Sequence, residues 1–365
     1  MPEFRRILIV KLSAIGDVLH ALPAVAYLRR AAPSAEIHWA VDARFAELLE
    51  GNPGIAKVVP LPIKEWKGRL GSPAAWREAI TATRALRRER YDAAFDVQGN
   101  IKSGVVTFLS GAPIRYGFPR EVARERQNLW FTNRRPPASE QDRHVTQKIL
   151  RVVSAPFGAL FAMEELRGEV ANIPEETAAA SRLLEELLPG ASPCLAVHPG
   201  TTWNTKRMDP SFWAESVRIL RKTFPGMGTY LSWGSEPERE ECDAIRELSG
   251  GRVVLLPRLG FRALAAAYRA CGHVIAPDTG PLHLAAVAGA KTVSVFRATD
   301  GNRNAPVGPD HRFLQAPLPC TACLRRECDR DAECRASLRP AEVAAAMSGL
   351  MVESVGSAAK KGEAL

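Results

Sequence analysis

Ile7-Leu8-Ile9-Val10-Lys11-Leu12-Ser13-Ala14-Ile15-Gly16-Asp17-Val18 is the stretch that decides the fold. Its run of apolar, mostly β-branched residues reads as a buried strand, and Ser13, Gly16 and Asp17 punctuate a strand-to-helix turn ahead of a helical pattern over residues 18–30. Open α/β sheets bind their ligands at such turns, beyond the carboxyl ends of strands and beside helix N-termini. A phosphate cradle there is rich in glycine, whereas this turn carries one Gly and a carboxylate that would repel a phosphate. The turn therefore reads as a place for proton chemistry, with a helix N-cap as the simpler alternative for Asp17.

The alternation continues outward from this turn. Strand patterns at 36–41, 58–61 and 93–97 are separated by helical patterns at 45–50 and 73–89, the order of a parallel sheet with right-handed crossovers. The rhythm breaks around 157–173, and a helix with Pro174 at its start and Glu175 and Glu176 in its first turn opens a second series. Strands are expected at 194–197, 228–233, 253–256, 273–276 and 292–296, with helices at 210–222, 236–248, 261–270 and 281–289. The expected organisation is α/β: two doubly wound, Rossmann-like domains, 1–168 and 169–347, with 348–365 a disordered tail of small and polar residues. Two such domains facing across a cleft would work at that cleft.

Bulk properties agree. A chain of 365 residues exceeds what one hydrophobic core usually supports, and 46% hydrophobic with 24% charged residues is globular composition. No apolar run approaches the roughly 20 residues that span a bilayer, and no secretory leader pattern is present, so a cytoplasmic location is expected. The net charge of +9 calls for an acidic partner, whether nucleic acid, an anionic membrane surface or a phosphorylated substrate. Basic residues gather at 64–69, 84–90 and 115–135; the second of these reads best as a solvated helix face.

Three turns of the second half follow expected strands. His198-Pro199-Gly200-Thr201-Thr202-Trp203-Asn204-Thr205-Lys206 offers Lys206 as a point charge and Thr201 and Thr202 as neutral donors to a phosphate. Trp233-Gly234-Ser235-Glu236-Pro237-Glu238 places a helix-capping carboxylate at Glu236 and a second one, Glu238, that could accept from the vicinal hydroxyls of a sugar. In Asp278-Thr279-Gly280-Pro281-Leu282-His283, Gly then Pro at a helix start leaves backbone N–H groups facing an anion. Together these turns suit a nucleotide-sugar diphosphate met by an ammonium and a helix N-terminus, without a required metal. Neither a P-loop nor a G-x-G-x-x-G fingerprint stands at the strand ends, which argues against an NTPase and a nicotinamide enzyme.

Of seven cysteines, Cys194, Cys242 and Cys271 lie in apolar contexts and read as small buried hydrophobes. Cys320, Cys323, Cys328 and Cys334 crowd together, as a structural Zn or Fe site with four thiolates or as reduced thiols at a solvent edge. Neither reading gives them a catalytic task.

With these residues in view, the chain resembles the ADP-heptose:lipopolysaccharide heptosyltransferases of glycosyltransferase family 9. The resemblance is carried by the Lys11 to Pro23 stretch, by Asp96-Val97-Gln98-Gly99-Asn100-Ile101-Lys102-Ser103 and by Asp278 to His283, and it runs from about residue 5 to about residue 345. Ile63-Lys64-Glu65-Trp66-Lys67, Ala123-Arg124-Glu125 and His144 look most like the branch that adds the first heptose to the inner Kdo of lipid A. The resemblance implies a GT-B architecture, an acceptor-binding first domain and a second domain that binds the ADP-sugar. It implies Asp17 as the general base of an inverting transfer that needs no cofactor. It places Thr201, Thr202, Lys206, Trp233, Gly234, Glu238 and Asp278 to His283 on the donor, with Lys206 at the phosphate and Glu238 at the adenosine ribose. Ser13, Gly16, Lys64, Lys67, Gln98, Lys102, Arg124 and His144 fall to the acceptor, Kdo-lipid A at the cytoplasmic face of the inner membrane, which accounts for the positive charge without nucleic acid. The alternatives are a second-heptose or other family 9 transferase acting on a different glycan or protein and, outside enzymes, a module binding anionic lipid or nucleic acid.

Overall fold

Ile7, Leu8, Ile9 and Val10 are fully buried in the middle strand of a parallel sheet. The protein is described by a computed structural model covering residues 3–69, 71–158 and 163–362. It divides into two units, Met1–Ala171 and Asn172–Leu365. The expected boundary after residue 168 falls three residues short of that division.

In the first unit, β1 (Arg6–Val10), β2 (Glu36–Asp42), β3 (Lys57–Leu61), β4 (Ala93–Asp96) and β5 (Ile114–Tyr116) form a five-stranded sheet in the order β3-β2-β1-β4-β5. All of its pairings are parallel. The chain winds from β1 outward to β3 and then restarts on the other side of β1 with β4. The strand order thus reverses between β1 and β4, and the turns after these two strands are where a ligand crevice opens in such sheets.

The second unit repeats the plan. β6 (Cys194–Val197), β7 (Gly228–Leu231), β8 (Val253–Leu255), β9 (His273–Pro277), β10 (Lys291–Phe296) and β11 (His311–Gln315) form a six-stranded parallel sheet, β11-β10-β9-β6-β7-β8. Here the order reverses between β6 and β9, so the turns after those strands hold the equivalent place. Trp213, Leu195, Ile245, Val217 and Met347 share one fully buried cluster on this sheet. Each such side chain contributes about 1.5–3 kcal/mol by leaving water.

Three expectations need correction. The helix foreseen over 18–30 is two helices, Ile15–Leu19 and Pro23–Ala31, because Pro23 cannot donate to a preceding turn and starts the second one. The tail foreseen from 348 is helix Pro340–Gly362, with Leu350 and Met351 buried; residues 363–365 lie outside the described residues. Val343, Ala344, Met347, Leu350 and Met351 recur at helical spacing and bury together beside Trp213, and that stripe outweighs the small-residue composition. β5 and β11 were not foreseen, being short, incompletely buried edge strands without an apolar run.

Candidate active site

The turn after β1 is held in shape by the turn after β4. Gln98 is buried, and its Oε1 accepts from the backbone N–H of Leu12 at 2.6 Å and Ser13 at 3.1 Å while its Nε2 donates to the Ser13 carbonyl at 2.7 Å. Both ends of the amide thus serve the loop's own backbone, so Gln98 positions Ser13 instead of presenting an amide to a ligand. Behind it, the carboxylate of Asp96 accepts from Gln98 N, Gly99 N, Ser103 Oγ and Asn128 Nδ2 at 2.6–3.0 Å. Burial pushes the Asp96 carboxyl up against these hydrogen bonds, which marks it as an internal brace. The Ser13–Ala14 peptide bond is cis.

Asp17 stands at the third position of helix Ile15–Leu19, with Gly16 before it in the same turn. Its side chain keeps about a third of its surface exposed: 35%. Its reach back to the Ala14 N–H is long, 3.4 Å, which makes the capping role weak. Lys11 Nζ lies 3.8 Å from Oδ1 and Arg124 Nη1 3.7 Å from Oδ2. Lys11 is buried and donates to the Val97 carbonyl at 3.0 Å; burial lowers its pKa, opposed by the charges of Asp17 and Asp96. Arg124 arrives on a segment pinned to the β4 turn by Glu125 N–H to Gly99 O at 3.0 Å and by Ile101 N–H to Glu125 Oε2 at 2.8 Å. Gly99 has φ +76°, and a Cβ there would lie 2.8 Å from the Phe118 ring, so only glycine permits this closure.

In the second unit, Asp278 joins three strand ends. Its Oδ2 accepts from Lys206 Nζ at 2.7 Å and from Thr299 Oγ1 at 2.7 Å, His283 Nε2 is 3.5 Å from Oδ1, and its backbone carbonyl accepts from Thr201 Oγ1 at 3.2 Å. Burial pulls this carboxyl upward, but His283 and Lys206 outweigh it and hold it well below the usual carboxylate range. Thr279 precedes helix Gly280–Val287 without capping it through its side chain, and Pro281 occupies the first turn. The N–H groups of Gly280 and Leu282 are thereby left for an anion. Glu238 accepts from Gly234 N–H at 2.7 Å, and a Cβ on Gly200 would sit 2.4 Å from the Glu238 Cδ, so the glycine leaves room for this carboxylate. Trp233 is fixed by Nε1 donating to the Leu256 carbonyl at 2.8 Å. Thr202 is exposed and has no role fixed by the fold.

One unit thus offers a carboxylate beside two cations, and the other an anion cradle of ammonium, threonine hydroxyl and helix N-terminus with a carboxylate nearby. The sequence pattern of glycosyltransferase family 9 (heptosyltransferase) matches residues 80–332. The chain belongs to that family. Lipopolysaccharide heptosyltransferase 1 of Pseudomonas aeruginosa is 31% identical to it over 325 residues, 88% of this chain and 87% of that one. The structure of E. coli heptosyltransferase WaaC with ADP-2-deoxy-2-fluoro heptose is similar at a TM-score of 0.69, with 27% identity over 87% of this chain and 97% of that one. E. coli ADP-heptose lps heptosyltransferase II matches in fold, with a TM-score of 0.72 at 18% identity over 96% of this chain and 99% of that one. This family 9 chain is a glycosyltransferase of GT-B fold.

The remaining expected acceptor residues of this family 9 transferase are dispersed through the first unit. Lys64 and Lys67 are exposed on helix Ile63–Gly68 after β3, and Lys102 is exposed at the start of helix Ile101–Leu109 after β4. His144 is buried; its Nδ1 accepts from Thr146 N–H at 3.2 Å and its ring packs edge-on to His20 at 5.5 Å, so it caps helix Val145–Ser154. Among the described residues no three His, Cys, Asp or Glu side chains are arranged to hold an ion. Cys320 and Cys323 are exposed, whereas Cys334 turns from helix Asp331–Ala336 onto the core around Trp213. No helix among the described residues is long and apolar enough to cross a membrane.

Sequence reasoning missed Lys11 and Thr299, whose importance depends on strand neighbours far away in the chain. It also missed His198. That imidazole is buried after β6, with Nδ1 3.1 Å from Ser232 Oγ, which lies 2.8 Å from Tyr268 OH. Burial lowers its pKa to about 4 against the pull of Glu238, so it is neutral beneath the cradle.

Proposed function

We propose that the chain transfers heptose from ADP-heptose to the Kdo-lipid A inner core, as a first heptosyltransferase, with inversion at the anomeric carbon. Asp17 accepts the proton of the acceptor hydroxyl as its oxygen bonds to the anomeric carbon. The bond from that carbon to the diphosphate oxygen breaks, and ADP leaves with the electron pair. The developing charge meets Lys206 and the N–H groups of Gly280 and Leu282. Glu238 takes the adenosine ribose hydroxyls, with Trp233 and Gly234 framing that turn. Ser13, Gly16 and Arg124 lie beside the base, and exposed Lys64, Lys67 and Lys102 supply charge for an acceptor rich in phosphate and carboxylate. The acceptor is anchored in lipid, so the enzyme works peripherally at the cytoplasmic face of the inner membrane. No metal or cofactor enters these steps.

The observation that carries this reading is the Asp17 carboxylate, on the turn whose Leu12–Ser13 backbone Gln98 clamps at the sheet's switch point, with no hydrogen bond shorter than 3.4 Å among the described residues. The relatives support it too, since P. aeruginosa lipopolysaccharide heptosyltransferase 1 is similar over 88% of this chain. The test is a mass-spectrometric transfer assay with ADP-heptose against Kdo2-lipid A and against its mono-heptosylated product. Gain of one heptose by the first acceptor alone is expected. Gain by the second alone would move the chain to the second step.

A further inference from the structure

The cysteine-bearing segment after β11 has no part in the steps above, yet it is fastened to the donor half with unusual care. Ala322 and Leu324 adopt φ +57° and +58°, a left-handed conformation that residues with a Cβ keep only when their surroundings impose it. The surroundings do so here: Ala322 N–H donates to the Arg297 carbonyl at 3.0 Å and Leu324 N–H to the Ala298 carbonyl at 2.8 Å. Gln315 Nε2 donates to Thr321 Oγ1 at 2.7 Å, and Thr205 Oγ1 donates to the Arg325 carbonyl at 2.6 Å. The kinked chain thereby meets the short turn Asn204–Lys206 after β6.

At that meeting point two cations share one ring. Arg326 Cζ is 5.0 Å from the centroid of Trp203, and Lys206 Nζ is 4.8 Å from the same centroid. Lys206 is tied to Asp278 at 2.7 Å, so part of its charge is matched within the fold. Arg326 is different. It is exposed and has no carboxylate partner among the described residues. A guanidinium stacked on an indole keeps its edge N–H groups free in a planar fork that matches phosphate oxygens.

We propose that Arg326 is a donor-binding residue: from its place on Trp203 it grips the diphosphate of the nucleotide-sugar, and the Ala322 to Leu324 kink serves to hold it there. This rests on the second unit being the donor half. Isothermal titration of ADP and of adenosine into full-length wild type, Arg326→Gln, Arg326→Lys and Lys206→Ala tests it. Loss of a charge-assisted contact predicts ADP affinity at least about tenfold weaker in Arg326→Gln, with adenosine affinity unchanged and Arg326→Lys in between. Wild-type ADP affinity in Arg326→Gln, alongside a loss in Lys206→Ala, overturns the role of Arg326 and leaves the donor half standing. Absence of ADP binding by wild type overturns the donor half and this inference with it.

Discussion

Each half of the chain brings a lysine to an aspartate at the switch point of its sheet, and the two pairs are built in opposite ways. In the second unit Lys206 and Asp278 touch at 2.7 Å with side chains 14% and 8% exposed, and Thr299 and His283 complete the carboxylate. In the first, Lys11 and Arg124 stop at 3.8 and 3.7 Å from an Asp17 whose side chain is 35% exposed. The pair in the second unit locks an anion as scaffold. The pair in the first unit leaves a carboxylate within reach of solvent and able to take a proton. Similar strand-end positions thus lead to different chemistry through the partners that neighbouring strands deliver.

The sharpest way to break the contrast is to neutralise each aspartate. On the proposed mechanism Asp17→Asn lowers transfer turnover by about 10²–10⁴-fold, the usual worth of a general base, and lowers the melting temperature less than loss of Asp278 does, because Lys11 keeps the Val97 carbonyl and the charge of Asp96. Asp278→Asn acts on the fold instead. It leaves the largely buried Lys206 without its counter-charge, which destabilises by about 3 kcal/mol and lowers the melting temperature by roughly 10 °C in calorimetry. Equal melting temperatures for the two variants would erase the distinction.

Smaller changes sharpen it. Gln98→Ala frees the Leu12 and Ser13 backbone and is expected to reduce turnover about tenfold by letting the base drift. Because Gln98 acts through Asp17, adding Gln98→Ala to Asp17→Asn should cost little more; a full additional tenfold loss argues for a separate role. His198 gives the last and mildest test. Its folded-state pKa of about 4 lies below the ordinary 6.5, so its contribution to stability is complete above pH 6.5 and is lost as pH falls towards 4. Thermal melts of wild type and His198→Asn across that window should diverge above pH 6.5 and converge below it by up to about 3 kcal/mol. Parallel curves would show that the imidazole titrates in the folded protein as it does in the unfolded chain, and would contradict its burial as a neutral group.

The strand-turn-helix punctuation at Ser13 to Asp17 and at Asp278 to His283 was legible because it is local: apolar runs, a Gly, a Pro and a polar side chain within a few residues. The Lys206 to Asp278 bond was not, because it exists only once β6 lies beside β9, and the Lys11 to Val97 bond likewise needs β1 beside β4. Gln98 and His144 stood in recognisable motifs, but their polar atoms serve the backbone, which no spacing reveals. The cysteine cluster stayed open between two readings for a related reason. Spacing along the chain allowed either convergence on an ion or free thiols; Cys320 and Cys323 are exposed, and Cys334 packs onto the core around Trp213. β11 escaped because residues such as Arg312 and Phe313 remain exposed at the sheet edge, without the buried alternation that marks a strand.

The division of labour between the halves is tested most directly by titrating ADP-heptose into Asp17→Asn without acceptor. Donor affinity within about twofold of wild type is the predicted result, because on the proposed mechanism the carboxylate handles only the acceptor's proton while the other half grips the diphosphate. Loss of donor affinity in step with the loss of transfer would contradict the account, making Asp17 part of the donor grip.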